Sequence, residues 1–252
     1  MLHRAREVAR VLVRGTDVAP AQSPQDMGEA FHRLRERVAP FTMTSTERMY
    51  ALHEAVRYVS RAAIAGDIVE CGVWRGGSSM LAALTLMELD DLRTLWLYDT
   101  FAGMTEPGEE DRKWSGESAA DELAGNAREA GAFNTWAFAT ADDVRSNMAA
   151  TGFPSDRICY VVGKVEDTIP AQLPDRIALL RLDTDWYEST RHELEHLWPL
   201  LAPGGVLIID DYGHWQGARQ AVDDFFAETP VLLHRIDYTG RMLVKCSTPA
   251  AS

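Results

Sequence analysis

Two apolar runs in this sequence end in clustered aspartates: Leu179-Leu-Arg-Leu-Asp183-Thr-Asp185-Trp-Tyr187 and Val206-Leu-Ile-Ile-Asp210-Asp211-Tyr212. Each run reads as a buried strand of a parallel sheet. Adjacent parallel strands leave a sheet on the same side, so Asp183, Asp210 and Asp211 are expected to converge at its C-terminal edge. Carboxylates that close together repel unless they are protonated, solvated or neutralised by a cation. Hard oxygen donors suit Mg²⁺, which keeps water or substrate oxygens in its remaining positions. Asp183, Asp210 and Asp211 are therefore the expected metal ligands, against the alternative of solvated loop-end acids or helix caps. Asp185 is expected to cap the helix that begins near Tyr187. His214 and Trp215 follow the second cluster and are candidates for the wall of a pocket.

A second group of residues has the chemistry of a cofactor site. Glu70-Cys-Gly72-Val-Trp-Arg-Gly76-Gly77-Ser78 lies between an apolar strand and a helix. Its glycines let the backbone approach a ligand closely, and a helix N-terminus favours a carboxylate or phosphate. The pattern is not G-x-G-x-x-G, so a dinucleotide is less supported. Asp99 ends the next strand, 29 residues after Glu70, where an acid can accept both ribose hydroxyls of an adenosine cofactor. Acids at the ends of two successive strands fit an adenosyl cofactor better than either does alone. Ser78 has two readings, a cap of the next helix or a contact to the cofactor carboxylate.

These residues need a scaffold of alternating strands and helices. Thr44 and Glu47 have capping-box spacing, and Met49, Leu52, Val56 and Val59 follow on one helical face, with Gly66 as the stop. Strands are expected at 68–72, 94–98, 158–162, 177–183 and 206–210. Helices are expected at 77–89, 118–130, 141–150, 187–200 and 216–228, with Pro203-Gly-Gly205 stopping the fourth of these. Runs at 231–237 and 241–246 flank a hairpin turn at Tyr238-Thr-Gly240. Strands alternating with helices imply an α/β fold with a parallel sheet covered on both faces. The terminal hairpin makes the last strand antiparallel. The segment 101–114, with Gly103, Pro107, Gly108 and the acids Glu109-Glu110-Asp111, breaks this rhythm, either as a solvated loop or as a lid at the strand ends. The first forty residues read as a peripheral arm, and 41–252 as one domain.

Composition narrows the partners. A formal net charge of −13 over 252 residues disfavours nucleic acid and anionic membrane, both of which need a basic surface. The expected ligand is a small molecule. Cys71, Cys159 and Cys246 are too far apart for a disulfide framework or a zinc site, which fits a reducing cytoplasm. The N-terminus lacks the apolar stretch of a signal peptide, and no run reaches membrane-span length.

On the stretches Glu70–Gly77, Asp99-Thr-Phe-Ala-Gly103, Leu182–Tyr187 and Pro203–Tyr212, the sequence resembles the macrocin O-methyltransferase family of natural-product sugar methyltransferases. The resemblance extends from Phe41 to Phe226. It implies a Rossmann-like class I methyltransferase fold with a seven-stranded sheet, S-adenosylmethionine as cofactor, Mg²⁺, and a deoxysugar hydroxyl on a secondary metabolite as acceptor. It also implies that Met43, in Phe41-Thr-Met-Thr44, belongs to a segment closing over the cofactor, and that Asp183 is both ligand and general base. More distant catechol methyltransferases carry a lysine three residues beyond this acid, where Trp186 stands here. A homo-oligomer is a further expectation from the family. Two other readings use the same residues: a catechol-type enzyme acting on a phenolic diol, and a non-catalytic protein that binds an adenosyl ligand.

Overall fold

The computed structural model describes residues 25–246. Its elements in chain order are α1 (Glu29–Val38), α2 (Thr46–Arg61), β1 (Asp67–Cys71), α3 (Gly77–Glu88), β2 (Leu95–Asp99), α4 (Ala119–Gly125), α5 (Ala141–Ala149), β3 (Ile158–Val162), α6 (Val165–Thr168), β4 (Ile177–Leu182), α7 (Tyr187–Leu197), β5 (Leu201–Ile209), α8 (Gln216–Phe225), β6 (His234–Arg235) and β7 (Arg241–Val244). The strands form one seven-stranded sheet in the order β3-β2-β1-β4-β5-β7-β6. β1 to β5 run parallel, and β7 is antiparallel to both of its neighbours. Strand order reverses between β1 and β4, where open α/β sheets bind their ligands.

Period-2 alternation divides the strand residues between two cores. Ile68, Leu95, Leu97, Leu179, Val206 and Ile208 pack against α1, α2, α3 and α5. Val69, Cys71, Leu180, Leu182, Leu207 and Ile209 face α7 and α8. The register aligns the strand exits. Cys71 pairs with Tyr98 and with Leu182, and Leu182 with Ile209. Hydrogen bonds from Asp183 N to the Cys71 carbonyl and from Asp210 N to the Leu182 carbonyl, both 2.9 Å, carry the ladder one residue past the strands. Glu70, Asp99, Asp183 and Asp210 therefore leave the sheet along one edge.

Several boundaries differ from the sequence expectation. The cap of α2 is Ser45, whose hydroxyl accepts from Arg48 N at 3.1 Å, and not Thr44. That helix ends at Arg61, ahead of Gly66. Pro203-Gly-Gly205 lies inside β5, beside a register shift between Ile177 and Leu179 that marks a bulge. The helix expected over 118–130 stops at Gly125, and β6 keeps only two residues. The boundary at residue 40 falls within continuous packing, because Phe31, Leu34 and Val38 of α1 are buried in the main core. Residues 1–24 of the expected arm lie outside the described residues. Among the described residues, no helix is long and apolar enough to cross a membrane.

Candidate active site

A cavity of about 350 Å³ opens at the strand exits between β1 and β4. Its lining includes every residue expected at a cofactor or metal site: Met43, Glu70, Gly72, Ser78, Asp99, Asp183, Asp210 and Asp211. His214 and Trp215 also line it. Of the other tryptophans, Trp74 borders the cavity, Trp186 packs edge-on against Trp215 with ring centroids 5.0 Å apart, and Trp114 is exposed.

The turn after β1 is built to bring backbone close. Gly72 has φ +80, and a Cβ there would lie 1.9 Å from the Asp183 carbonyl oxygen. Only glycine lets the β1 and β4 exits touch. At Gly77 a Cβ would lie 2.5 Å from the Phe41 carbonyl, so this glycine admits the segment carrying Met43 against the start of α3. Gly76, in the left-handed conformation, caps α3, which leaves Ser78 free of that role. Ser78 faces Thr44, with hydroxyls 3.4 Å apart. Asp99 accepts hydrogen bonds from Val73 N (2.6 Å), Trp74 N (3.1 Å) and Phe101 N (2.7 Å). It thus ties the end of β2 to the turn after β1 while bordering the cavity.

Arg181 is the residue that sequence reasoning missed. It pairs in register with Glu70, on the same face of the sheet. Its guanidinium donates to Glu70 and Asp183 at 2.7 Å each and to Asp210 at 2.6 Å. Ser79 donates to the other oxygen of Glu70. Arg48 of α2 pairs with Asp210 and, at 3.1 Å, with Asp237 in the β6–β7 turn. The signal for Arg181 was a charged residue inside an apolar strand, which is rare in a core unless it is paired.

The acids at the β4 and β5 exits are arranged differently from expectation. Carboxylate oxygens of Asp183, Asp185 and Asp211 lie within 4.8 Å of one another, a spacing that one cation can span. Asp210, expected in that set, turns instead to Arg181 and Arg48. Asp185 is not a helix cap. The α7 N-terminus is capped by Asp111, which accepts from Tyr187 N at 2.9 Å, and Asp185 adopts φ +69 that carries its carboxyl into the cluster. Burial, with Asp210 and Asp211 adding repulsion, pushes Asp183 well above the usual carboxylate range even beside Arg181. Burial and then Asp185 do the same to Asp211. Burial raises Asp185 to about 7. These shifts reflect burial and mutual repulsion, which a cation bound among the three carboxylates would relieve. The donor set fits a hard divalent metal.

The residues 101–114 serve as both wall and clamp. Gly103, Met104 and Thr105 line the cavity, while Asp111 is buried and Lys113 bridges to Trp215. Asn134, Thr135 and Ala137, beyond the helix expected over 118–130, add a wall to which the sequence reading assigned no role. His214 accepts or donates at 3.2 Å with the Tyr238 hydroxyl, and burial lowers its pKa.

The macrocin O-methyltransferase (TylF) family matches residues 21–245 of the sequence. The chain belongs to that family. It is 36% identical over 185 residues to the 8-demethyl-8-(2,3-dimethoxy-alpha-L-rhamnosyl)-tetracenomycin-C 4'-O-methyltransferase of Streptomyces olivaceus, a match covering 73% of this chain and 67% of the relative. It is 32% identical over 211 residues to the mycinamicin III 3''-O-methyltransferase of Micromonospora griseorubida, covering 83% and 78%. Among solved structures it is similar to the O-methyltransferase NovP, with a TM-score of 0.71 at 30% identity, covering 82% of this chain and 83% of the other. The fold is that of class I O-methyltransferases, as the family resemblance implied, and O-methyl transfer is the family's reaction.

Proposed function

We propose that this protein is an S-adenosylmethionine- and Mg²⁺-dependent O-methyltransferase acting on a hydroxyl of a deoxysugar carried by a secondary metabolite. The observation that carries this reading is one cavity bordered by both Glu70 and Asp99 and by the Asp183, Asp185 and Asp211 carboxylates. Relatives named for rhamnosyl tetracenomycin and for mycinamicin support the sugar acceptor. The three cysteines are free, which supports a cytoplasmic enzyme.

S-adenosylmethionine, when bound, supplies the methyl group from a sulfonium that loses its charge as the methyl leaves. Mg²⁺, when bound, supplies positive charge beside the acceptor hydroxyl and lowers its pKa. Gly72 and the Asp99-tied turn leave room for the cofactor, and the Phe41–Thr44 segment, which lines the same cavity, would close over it. Asp183 and Asp211 would hold the metal, with Asp185 as the third carboxylate. Asp210, the third ligand that the resemblance implies, keeps its two arginines. Asp183 also receives the proton of the acceptor hydroxyl. Alignment of donor and acceptor in the cavity supplies much of the acceleration.

Methyl transfer to a panel of deoxysugar glycosides and catechols, with Mg²⁺ or excess chelator, tests the reading. Activity on the glycosides that chelator abolishes is expected. Asp183→Asn should lose turnover by about a thousandfold while S-adenosylmethionine still binds. Full activity in chelator would remove the metal, and turnover of catechols alone would make the acceptor a phenolic diol. Mn²⁺ affinity should fall further in Asp185→Asn than in Asp210→Asn. The reverse order would return Asp210 to the ligand set.

A further inference from the structure

Glu193 has no part in the chemistry above, yet it is fully buried. It sits on α7, the helix that follows the Asp183–Trp186 loop. One carboxyl oxygen accepts a hydrogen bond from the Thr184 hydroxyl at 3.0 Å. The other is buried without a close hydrogen-bond partner, and the carboxyl neighbours the Cys71 thiol at the end of β1. Burial first, with Glu166 beside it, raises its pKa well above the usual range, while one carboxyl oxygen faces the Thr184 hydroxyl. An inward position on this amphipathic helix would ordinarily hold an apolar residue, because burying a half-satisfied carboxyl costs stability.

The loop that Glu193 touches is the one that needs holding. Asp185, the next residue, has φ +69. For a residue other than glycine such a conformation is strained and persists only where the surroundings over-determine it. On the sheet side, Asp183 N is bonded to the Cys71 carbonyl and the Asp183 carbonyl is wedged over Gly72. On the helix side, Ser189 donates to the Thr184 carbonyl at 3.3 Å while Glu193 takes the Thr184 hydroxyl. Thr184 is therefore fixed through both backbone and side chain by α7, and the two acids on either side of it face the cavity.

We propose that Glu193 is a positioning residue, which through its hydrogen bond to Thr184 holds Asp183 and Asp185 in the geometry that binds the metal. The proposal rests on the metal reading above. Groups of this kind, one step removed from a metal, typically change its affinity by about 10- to 100-fold.

The test is Mn²⁺ titration, without substrate, of wild type, Glu193→Gln, Glu193→Leu, Thr184→Val and the double variant Thr184→Val/Glu193→Leu, with urea unfolding of each. Glu193→Leu and Thr184→Val should each bind Mn²⁺ about tenfold more weakly or worse. Glu193→Gln should stay within about threefold of wild type, because its amide carbonyl accepts the same bond. The double variant should be no weaker than the worse single variant, as expected of two residues acting through one bond. A folded Glu193→Leu protein with wild-type affinity, an additive double variant, or a Glu193→Gln protein as weak as Glu193→Leu would overturn the proposal. If Glu193→Leu does not fold, the near-isosteric Thr184→Val decides by itself. Wild type that binds no Mn²⁺ would remove the metal reading and the proposal with it, a failure visible before any variant is compared.

Discussion

Arg181 sets how much negative charge the site can hold. Its buried guanidinium joins the Glu70 carboxylate to Asp183 and Asp210, so the acids at the β1, β4 and β5 exits share one cation. With Arg48 it stands against Glu70, Asp183, Asp185, Asp210 and Asp211, and the remaining excess falls on Asp183, Asp185 and Asp211, the three whose oxygens cluster. Removing one partner of a buried ionic network leaves uncompensated charge, which typically costs about 3–5 kcal/mol. Arg181→Met should therefore lose stability on that scale in urea unfolding. A loss below about 1 kcal/mol would mean that the acids are protonated and need no cation. The aspartates were legible in the sequence because clustered acids after apolar strands have few other uses. Which of them turn inward was not, since Asp210 and Asp185 exchange roles through Arg48, Arg181 and a positive φ, none of which leaves a local pattern.

At the scale of elements, the central parallel strands β1, β4 and β5 were legible because each carries a short run buried on both faces. The irregular wall was not, because 101–114 and 126–139 are ordered by contacts distant in sequence. Asp111 shows how. It lies in an acidic run that reads as solvated, yet it is buried, and it closes its own loop through Gly108 N at 2.7 Å while capping α7. Burial raises its carboxyl from 3.8 to about 6. The unfolded chain releases this proton near the lower value and the folded chain near the higher one. Between them the folded state binds more protons, so this group's contribution to stability falls as pH rises from 3.8 to about 6. Asp111→Asn removes the titration. The stability difference, variant minus wild type, should therefore grow with pH across that window and then level off, as read by denaturant melts at several pH values. A difference independent of pH would place the Asp111 carboxyl in solvent.

For the whole molecule, the N-terminal helix alters where the domain begins. The charged stretch Glu29–Val38 reads as peripheral because most of its residues are polar, but Phe31, Leu34 and Val38 recur at helical spacing and all three are buried. Phe31 reaches across to α2, where its ring lies 5.1 Å from Tyr50 and 5.5 Å from His53. His53 in turn meets Thr85 of α3 at 2.9 Å. One aromatic thus connects three helices on the face of the sheet that also carries Glu70 and Arg181. From the end of α1 the chain runs directly into Phe41 and Thr42, which rest on Gly77 at the cofactor turn. Truncating a buried phenylalanine costs about 3–5 kcal/mol through lost transfer energy and the cavity left behind. Phe31→Ala should show that loss in urea unfolding with an unchanged denaturant slope, because the sheet and both of its cores unfold as one domain. If α1 were a peripheral arm, the variant would unfold at the wild-type midpoint. The same measurement followed by S-adenosylmethionine binding separates two roles for the helix. Affinity kept in the folded variant assigns α1 to stability alone, whereas weakened affinity means that packing on Phe31 also holds the Phe41–Thr44 segment over the cavity. The continuous path from Phe31 to Gly77 favours the second outcome.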